Sequence, residues 1–186
     1  MAFNYLEAAV KKCNVNDIKC KHINVNGVNV WNSEVKVIPN PTDFPQSAYL
    51  TWAEEGSRVT FTVDETGCNF YNRGSGSDTY DGKRDAGIAL NFDTDGHKYL
   101  NITYEYKGSS SGCHYRLKVG TNAGAKNTYD TVIETLIDNY CSKNVTTKSS
   151  KVNIEGYSNV GIGIFLHPSQ DESLYVNITN LTLTDE

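Results

Sequence analysis

The sequence predicts an all-β protein: an antiparallel β-sandwich or jelly roll with a short N-terminal helix. Two observations support this fold class. Eight segments of the 186-residue chain alternate apolar and polar residues wholly or in part, which is the period of a half-buried strand. Clusters of Asn, Asp, Ser and Gly lie between them, as in sandwiches with many short strands. The alternating segments are 27–31, 47–52, 58–63, 87–92, 99–106, 114–119, 160–166 and 174–183.

The first element is a helix near the N-terminus. Five apolar residues recur there at spacings of three and four, which gathers them on one face of a helix. They are Phe3, Leu6, Ala9, Val10 and Cys13. From Val15 onward the period is two. We therefore expect a single β-sandwich domain over residues 1–186, with residues 1–25 as a helical appendage.

The strand pattern also predicts which side chains face the interior, because successive strand residues point to opposite faces. The inward parity of the last segment changes after Ile178, so we expect a β-bulge near Thr179–Asn180. Trp52 is in phase with Leu50 and is interpreted as a core residue. The segment 132–140 fits either a short helix or a strand. The predicted inward residues are Leu100, Ile102, Tyr104, Tyr106, Tyr115, Leu117, Val119, Leu174, Val176, Ile178, Leu181 and Leu183.

Charge and composition exclude several classes of function. The net charge is −5, which disfavours a nucleic-acid partner, because that binding depends on clustered cations. No apolar run is long enough to span a bilayer, so we expect no membrane partner. The first residues lack a secretory signal pattern. Either the protein is cytoplasmic, or the chain is a fragment of a larger secreted protein without its signal peptide. We favour the fragment, because one short module with no catalytic motif is more easily understood as part of a larger protein.

The five cysteines form no CxxC pair, so a zinc knuckle or a redox motif is not expected. One or two disulfides plus a thiol, or several buried thiols, both fit the count.

Catalytic and metal-binding motifs are weak. The sequence has no GxSxG, HExxH or Walker motif, and no pair of carboxylates is singled out. Asp78, Asp81 and Asp85 lie in a Gly/Ser-rich loop whose oxygens suit Ca²⁺. A structural calcium ion is therefore an alternative there, while no cofactor is required.

Aromatic residues are the most informative candidates for a binding site. A neutral sugar ring has apolar C–H faces rimmed by hydroxyls, so its site needs flat rings beside polar side chains. Phe165 and His167 are out of phase with the apolar residues around them and should face outward. The aromatic candidates are Trp31, Tyr71, Tyr80 and Tyr129, and the polar candidates, expected to line up on one strand face, are His114, Arg116, Lys118, Asn101 and Glu105.

Three segments of the second half carry a family resemblance: Lys98–Gly108, Tyr115–Val119 and Tyr175–Leu183. They resemble the jelly-roll carbohydrate-binding modules of secreted polysaccharide-degrading enzymes and cellulosome-like proteins. The resemblance implies a non-catalytic, monomeric module within a multidomain parent. Such a module would attach its parent to neutral plant polysaccharide, namely β-glucan, xyloglucan or xylan, with starch as a further candidate.

The resemblance implies binding either in a groove across one sheet face or on the loops at one edge. The groove would use His114, Arg116, Lys118, Asn101 and Glu105. The loop site would use Tyr71, Tyr80 and Trp31, and the long aromatic loop over residues 69–85 favours it.

Two other hypotheses belong to different functional classes. A structural or adhesive surface protein, such as a pilin-like or scaffold subunit, would self-associate or bind a protein and show no glycan binding. A small jelly-roll glycoside hydrolase or lyase would release reducing sugar.

Overall fold

The structure is a computed structural model, and it describes most of the chain from residue 46 onward together with five short strands before it. The predicted helix over residues 3–13 lies outside the described residues. Within the described ranges the only helix is a 3₁₀ turn at Gln46–Ala48, and none is long and apolar enough to cross a bilayer. The described ranges are 14–15, 18–19, 22–25, 28–32 and 35–38 for the backbone, and 46–64, 66–76, 83–109, 112–140 and 143–185 in full.

The chain divides into two compact units, Met1–Glu34 and Val35–Glu186. The first unit contains two small antiparallel pairs. Strand β1 pairs with β2, and β3 pairs with β4 with an irregularity after Ile23. The strands are β1 (Asn14–Val15), β2 (Ile18–Lys19), β3 (His22–Val25) and β4 (Val28–Asn32).

The second unit is built from two antiparallel sheets, which confirms the predicted β-sandwich. The six-stranded sheet has the order β13-β10-β15-β8-β7, with β5 also paired to β15, and the five-stranded sheet has the order β12-β11-β14-β9-β6. Strand β12 covers the segment that the sequence left ambiguous. The strands are β5 (Val35–Ile38), β6 (Leu50–Ala53), β7 (Ser57–Asp64), β8 (Gly67–Gly74), β9 (Ala86–Asp93), β10 (Tyr99–Gly108), β11 (His114–Thr121), β12 (Thr131–Tyr140), β13 (Thr146–Asn153), β14 (Asn159–His167) and β15 (Ser173–Thr184).

The core lies between the two sheets and is filled by alternate residues of their long strands. Every residue predicted to face inward on β10, β11 and β15 is buried. The ring of Tyr106 meets the ring of Tyr115 edge-on at 4.8 Å between centroids, which joins the two sheets. The Tyr104 hydroxyl donates to the carbonyl oxygen of Leu136 at 3.2 Å, so burial of this side chain does not leave its hydroxyl without a hydrogen-bond partner.

The predicted β-bulge in β15 is confirmed. Thr103 pairs with Asn180 and Tyr104 pairs with Ile178, so Thr179 is the extra residue. The bulge restores the inward direction of the two leucines that follow it.

Two cysteines lie in the described core, and both are buried thiols. Burial raises the pKa of Cys68 to about 12, so this thiol stays protonated at neutral pH. Cys13, Cys20 and Cys141 lie outside the described residues, and the disulfide alternative for them stays open.

Candidate functional site

The outer face of the five-stranded sheet carries a row of side chains that crosses all five strands. Trp52 on β6 pairs with Gly87 on β9, and Gly87 pairs with Phe165 on β14. Phe165 pairs with Arg116 on β11, which pairs with Asp138 on β12. Two aromatic rings, a guanidinium and a carboxylate are therefore lined up perpendicular to the strands.

The aromatic half of this row forms a platform. The rings of Trp52 and Phe165 are nearly parallel, with 14° between their planes and 6.2 Å between centroids. Gly87, which lies between them in the row, has no side chain to separate the rings. A Cβ at Gly87 would also overlap the carbonyl oxygen of Ala125, so the position is closed to any side chain. We call the two rings the Trp52–Phe165 platform.

The prediction that Trp52 is a core residue is wrong. Its phase with Leu50 was the reason for that prediction, but Leu50 is itself 54% exposed and both residues lie on the outer face. Strand β6 is the edge strand of its sheet, and a leucine on an edge strand does not mark the interior side. The outward direction predicted for Phe165 and His167 is confirmed by their register on β14.

Two cations frame the platform. The guanidinium carbon of Arg116 lies 5.5 Å from the centroid of the Phe165 ring. The ammonium of Lys126, from the loop after β11, lies 5.0 Å from the centroid of the Trp52 ring. Each distance is within the range of a cation–π contact, which is worth about 0.5–1 kcal/mol at an exposed site. Phe165 is only 9% exposed beneath its neighbours, so the half-buried indole of Trp52 supplies most of the open ring surface beside these charged donors.

Asp138 on β12 holds three side chains of β11 in place. Its carboxylate lies 2.9 Å from His114 Nε2, 3.2 Å from Arg116 Nε and 3.3 Å from Lys118 Nζ. Burial alone would raise the pKa of Asp138, but the hydrogen bonds from Lys118 and Arg116 together lower it. The carboxylate is therefore ionised at neutral pH and orients the polar edge of the platform.

A second row of polar and aromatic side chains runs beside the first. His114 pairs with Tyr140 on one side and with His167 on the other. The Tyr140 ring is 67% exposed and stacks on His114 with 4.9 Å between centroids. His167 Nδ1 makes a short contact with the Asp85 carboxylate, and this hydrogen bond raises the pKa of His167 against the opposing effect of burial.

The loop over residues 122–130 lies on the same sheet face and reaches the platform, where the carbonyl oxygen of Ala125 stands above Gly87 and Lys126 stands over Trp52. The Asn91 side chain donates to the Ala123 carbonyl oxygen and accepts from the Ala123 amide, both at 2.8 Å. The Tyr129 hydroxyl donates to the Gly163 carbonyl oxygen at 3.4 Å. Burial of Tyr129 raises its pKa. The ring of Tyr129 is half-buried, because Gly120 and Gly163 beneath it leave room for it to pack on the sheet, and its role in binding stays a prediction.

The polar candidates do not form one groove as the sequence suggested. His114, Arg116 and Lys118 do lie on the outer face of the five-stranded sheet, whereas β10 belongs to the six-stranded sheet. Asn101 and Glu105 point outward from β10, so they lie on the opposite side of the sandwich. The predicted loop over residues 69–85 begins too early, because Tyr71 lies in β8 (Gly67–Gly74). Its side chain is on that same outer face, directly across from Tyr175, whose hydroxyl donates to Glu105 at 2.7 Å.

Some predicted site residues lie outside the described part of the chain. Tyr80, Asp78 and Asp81 are among them, and so is the side chain of Trp31, whose backbone is in β4. Asp85 is described, and its carboxylate contacts His167. In the ranges that the structure describes, no group of three candidate metal ligands comes together. Calcium binding at residues 78–85 stays a prediction.

Sequence reasoning missed Trp52, Tyr140, Asp138 and Lys126 as parts of the site. A lone outward Phe165 and a run of polar residues on β11 were the available signals. The missing information was the strand order, because residues far apart in sequence meet on this face only once β6, β9, β14, β11 and β12 are adjacent.

Comparisons with solved structures find similar folds at low sequence identity. The chain is similar to the N-terminal cellulose-binding domain of β-1,4-glucanase C from Cellulomonas fimi, with 12% identity, 76% of this chain and 91% of that chain covered, and a TM-score of 0.45. It is similar to TmCBM61, solved in complex with β-1,4-galactotriose, with 10% identity, coverage of 80% and 95%, and a TM-score of 0.46. Both belong to the class of carbohydrate-binding modules that the sequence resembles.

A third similar structure is the enzymatically active domain of tailspike protein 4 from bacteriophage CBA120. The identity is 8%, 76% of this chain and 20% of that chain are covered, and the TM-score is 0.46. No protein-family model and no curated protein matches the sequence. At these identities and TM-scores the likeness assigns no function, so the functional argument rests on the site itself.

Proposed function

We propose that this chain is a non-catalytic carbohydrate-binding module that attaches a larger secreted protein to neutral plant polysaccharide, namely β-glucan, xyloglucan or xylan. The observation that carries the proposal is the half-buried indole of Trp52, which lies on an outer sheet face with the ring of Phe165 packed nearly parallel beside it. Aromatic rings offer large rigid surfaces that lose little entropy on binding, and a pyranose presents matching apolar C–H faces.

The polar frame of the platform supports the same function. Arg116, Lys118 and His114 donate hydrogen bonds, and Asp138 accepts them. Sugar hydroxyls both donate and accept, so they can exchange partners with such a network. The cation–π contact of Lys126 is worth about 1 kcal/mol or less because the side chain is exposed. A sugar ring can therefore displace the Lys126 ammonium from Trp52.

The row crosses the sheet from edge to edge, which suits a polymer better than a single sugar. With strands about 4.8 Å apart, five strands give a span of roughly 19 Å. A site of this length accommodates several sugar units in a linear chain. Each site is expected to bind weakly, and tethering to other modules of the parent protein would raise the effective affinity.

Affinity electrophoresis of the whole chain on a polysaccharide panel tests the proposal, with reducing-sugar release measured in parallel. We expect retardation on at least one neutral plant polysaccharide and no sugar release. Trp52→Ala should weaken binding at least about tenfold, the size of loss typical of a central aromatic contact. Leu50→Ala is the matched control, because it removes an exposed side chain from the same strand and face.

Failure can be recognised in two ways. Migration unaffected by every polysaccharide would overturn the binding function, and sugar release would favour an enzyme. If Trp52→Ala and Leu50→Ala both bind like the wild type, the platform is not the site. Tyr71→Ala and Tyr80→Ala then test the loop site, and weaker binding by either variant would favour it.

A further inference from the structure

Arg116 has two distinct hydrogen-bonding edges, and the described residues of the chain use only one of them. Its Nε donates to the Asp138 carboxylate at 3.2 Å and its Nη2 donates to His114 Nδ1 at 3.3 Å. These two nitrogens lie on the same side of the planar guanidinium. Within the part of the chain that the structure describes, no protein group accepts a hydrogen bond from Nη1. The end of the guanidinium therefore keeps unused donors.

The protonation state of His114 follows from this contact. Arginine nitrogens only donate, so His114 Nδ1 must be the acceptor and carries no hydrogen. The hydrogen is on Nε2, which donates to Asp138 at 2.9 Å. Burial and the charge of Arg116 lower the pKa of His114, in agreement with a neutral ring at pH 7. The neutral ring of His114 and the ionised carboxylate of Asp138 thus fix the guanidinium beside the ring of Phe165.

The charges around this edge favour an anion. Asp138 is one carboxylate shared by two permanent cations, Arg116 and Lys118. Lys126 adds a further cation over Trp52. Beside His114, the Asp85 carboxylate is paired with His167. The Arg116 end of the platform therefore has a local excess of positive charge, although the whole chain has a net charge of −5.

We infer that the unused edge of Arg116 binds a carboxylate carried by the glycan, so that the polysaccharide bound on the platform bears uronic-acid substituents. This inference rests on the proposed function and refines its ligand class from a neutral chain to a neutral backbone with acidic branches. Two N–H donors on a planar guanidinium match the two oxygens of a carboxylate. Hydrogen bonds between charged groups are roughly twice as strong as neutral ones.

The test compares one polymer with and without its carboxylates. The probes are a glucuronic-acid-substituted xylan and the same xylan after chemical reduction of its carboxyl groups to alcohols. At low salt we expect the whole chain to bind the acidic polymer roughly tenfold more tightly than the reduced polymer. This is the gain in affinity expected from one well-formed contact between charged groups. The ratio should shrink in 0.5 M salt (roughly a 4 Å screening length), because salt screens a partly exposed charge pair.

Variants assign the preference to Arg116. Arg116→Gln should bring the ratio of the two affinities close to one. Arg116→Lys keeps the charge and should retain only part of the preference for the acidic polymer. Lys107→Gln is the matched control, because it removes an exposed cation from the outer face of the other sheet. It should leave the ratio unchanged.

The outcomes separate the two proposals. Equal binding of both polymers by the wild type would overturn the uronic-acid inference while leaving the carbohydrate-binding function in place. A preference that survives in Arg116→Gln would overturn it as well. If neither polymer nor any neutral polysaccharide binds, the proposed function itself is wrong. A sulfated xylan that binds as tightly as the acidic one would show that the site recognises negative charge without selecting a carboxylate, which also contradicts the inference.

Discussion

The indole of Trp52 and the ring of Phe165 lie 6.2 Å apart, although a whole strand separates β6 from β14. They approach each other over Gly87, the one residue between them in the row. Above the same glycine lies the carbonyl oxygen of Ala125. One missing side chain therefore lets two rings converge and also lets a loop rest on the sheet.

We expect Gly87→Ala to destabilise the protein by about 2–3 kcal/mol, because its methyl group would overlap the backbone of Ala125. Gly156→Ala is the matched control. Gly156 has a φ of +90° but no atom within 4 Å of the added Cβ, so it should cost only about 1 kcal/mol of backbone strain. Urea unfolding of both variants measures the difference, and equal losses would contradict the close contact at Gly87.

Much of the sandwich could be predicted from the sequence because strand direction is a local property. Strict alternation on β10 and β11 identified their inward residues without knowledge of their partners. The parity change after Ile178 likewise required an extra residue, which the structure shows to be Thr179. Burial of two leucines beyond the bulge left only one consistent register.

Deletion of Thr179 should therefore abolish cooperative folding. Without the extra residue, Leu181 and Leu183 would point to the outer face. Each would then lose about 2–3 kcal/mol of hydrophobic stabilisation. The sum is comparable with the total stability of a typical domain. Thr179→Ala should change the free energy of unfolding by only about 0.5 kcal/mol, since the residue is exposed. A deletion variant with a sharp thermal transition near that of the wild type would contradict the role of the bulge.

The site itself could be predicted only in part, because strand order is not local. Thr103 on β10 and Ser149 on β13 pair across 46 residues of sequence, and no short-range pattern marks such a partner. Asn101 and Glu105 were thus grouped with Arg116, although β10 and β11 belong to different sheets. Trp52 was assigned to the core for a related reason. Its position on an edge strand, where an apolar neighbour does not mark the interior side, follows from strand order and not from local sequence.

The loop over residues 122–130 depends on one side chain of β9. Asn91→Ala should cost roughly 2 kcal/mol, because it removes two hydrogen bonds and leaves the buried backbone of Ala123 without partners. Amide exchange in this loop should speed up about tenfold or more. Asn69→Ala, on the outer face of the other sheet, is the control and should leave exchange in the loop unchanged. Wild-type exchange rates in Asn91→Ala would show that other contacts hold the loop.

Stability should depend on pH through His167. The Asp85 carboxylate raises the pKa of His167 in the folded protein, above an unfolded value of about 6.5. The stabilisation is therefore complete below about pH 6.5 and is lost as the pH rises through the folded pKa. We expect the Tm difference between wild type and His167→Gln to be larger at about pH 6 than at about pH 8.5. A difference that is the same at both pH values would contradict the ion pair.

His114 should show the opposite pH dependence, although it lies directly across from His167. Burial and the charge of Arg116 lower its pKa below an unfolded value of about 6.5. Its contribution is therefore complete above about pH 6.5 and is lost as the pH falls through the folded pKa, because protonation places a hydrogen on Nδ1 against Arg116. His114→Gln should thus lose less Tm than the wild type on acidification from about pH 7 to pH 5. A larger acid loss in this variant would mean that His114 is protonated in the folded protein and that the Arg116 contact is not the one described.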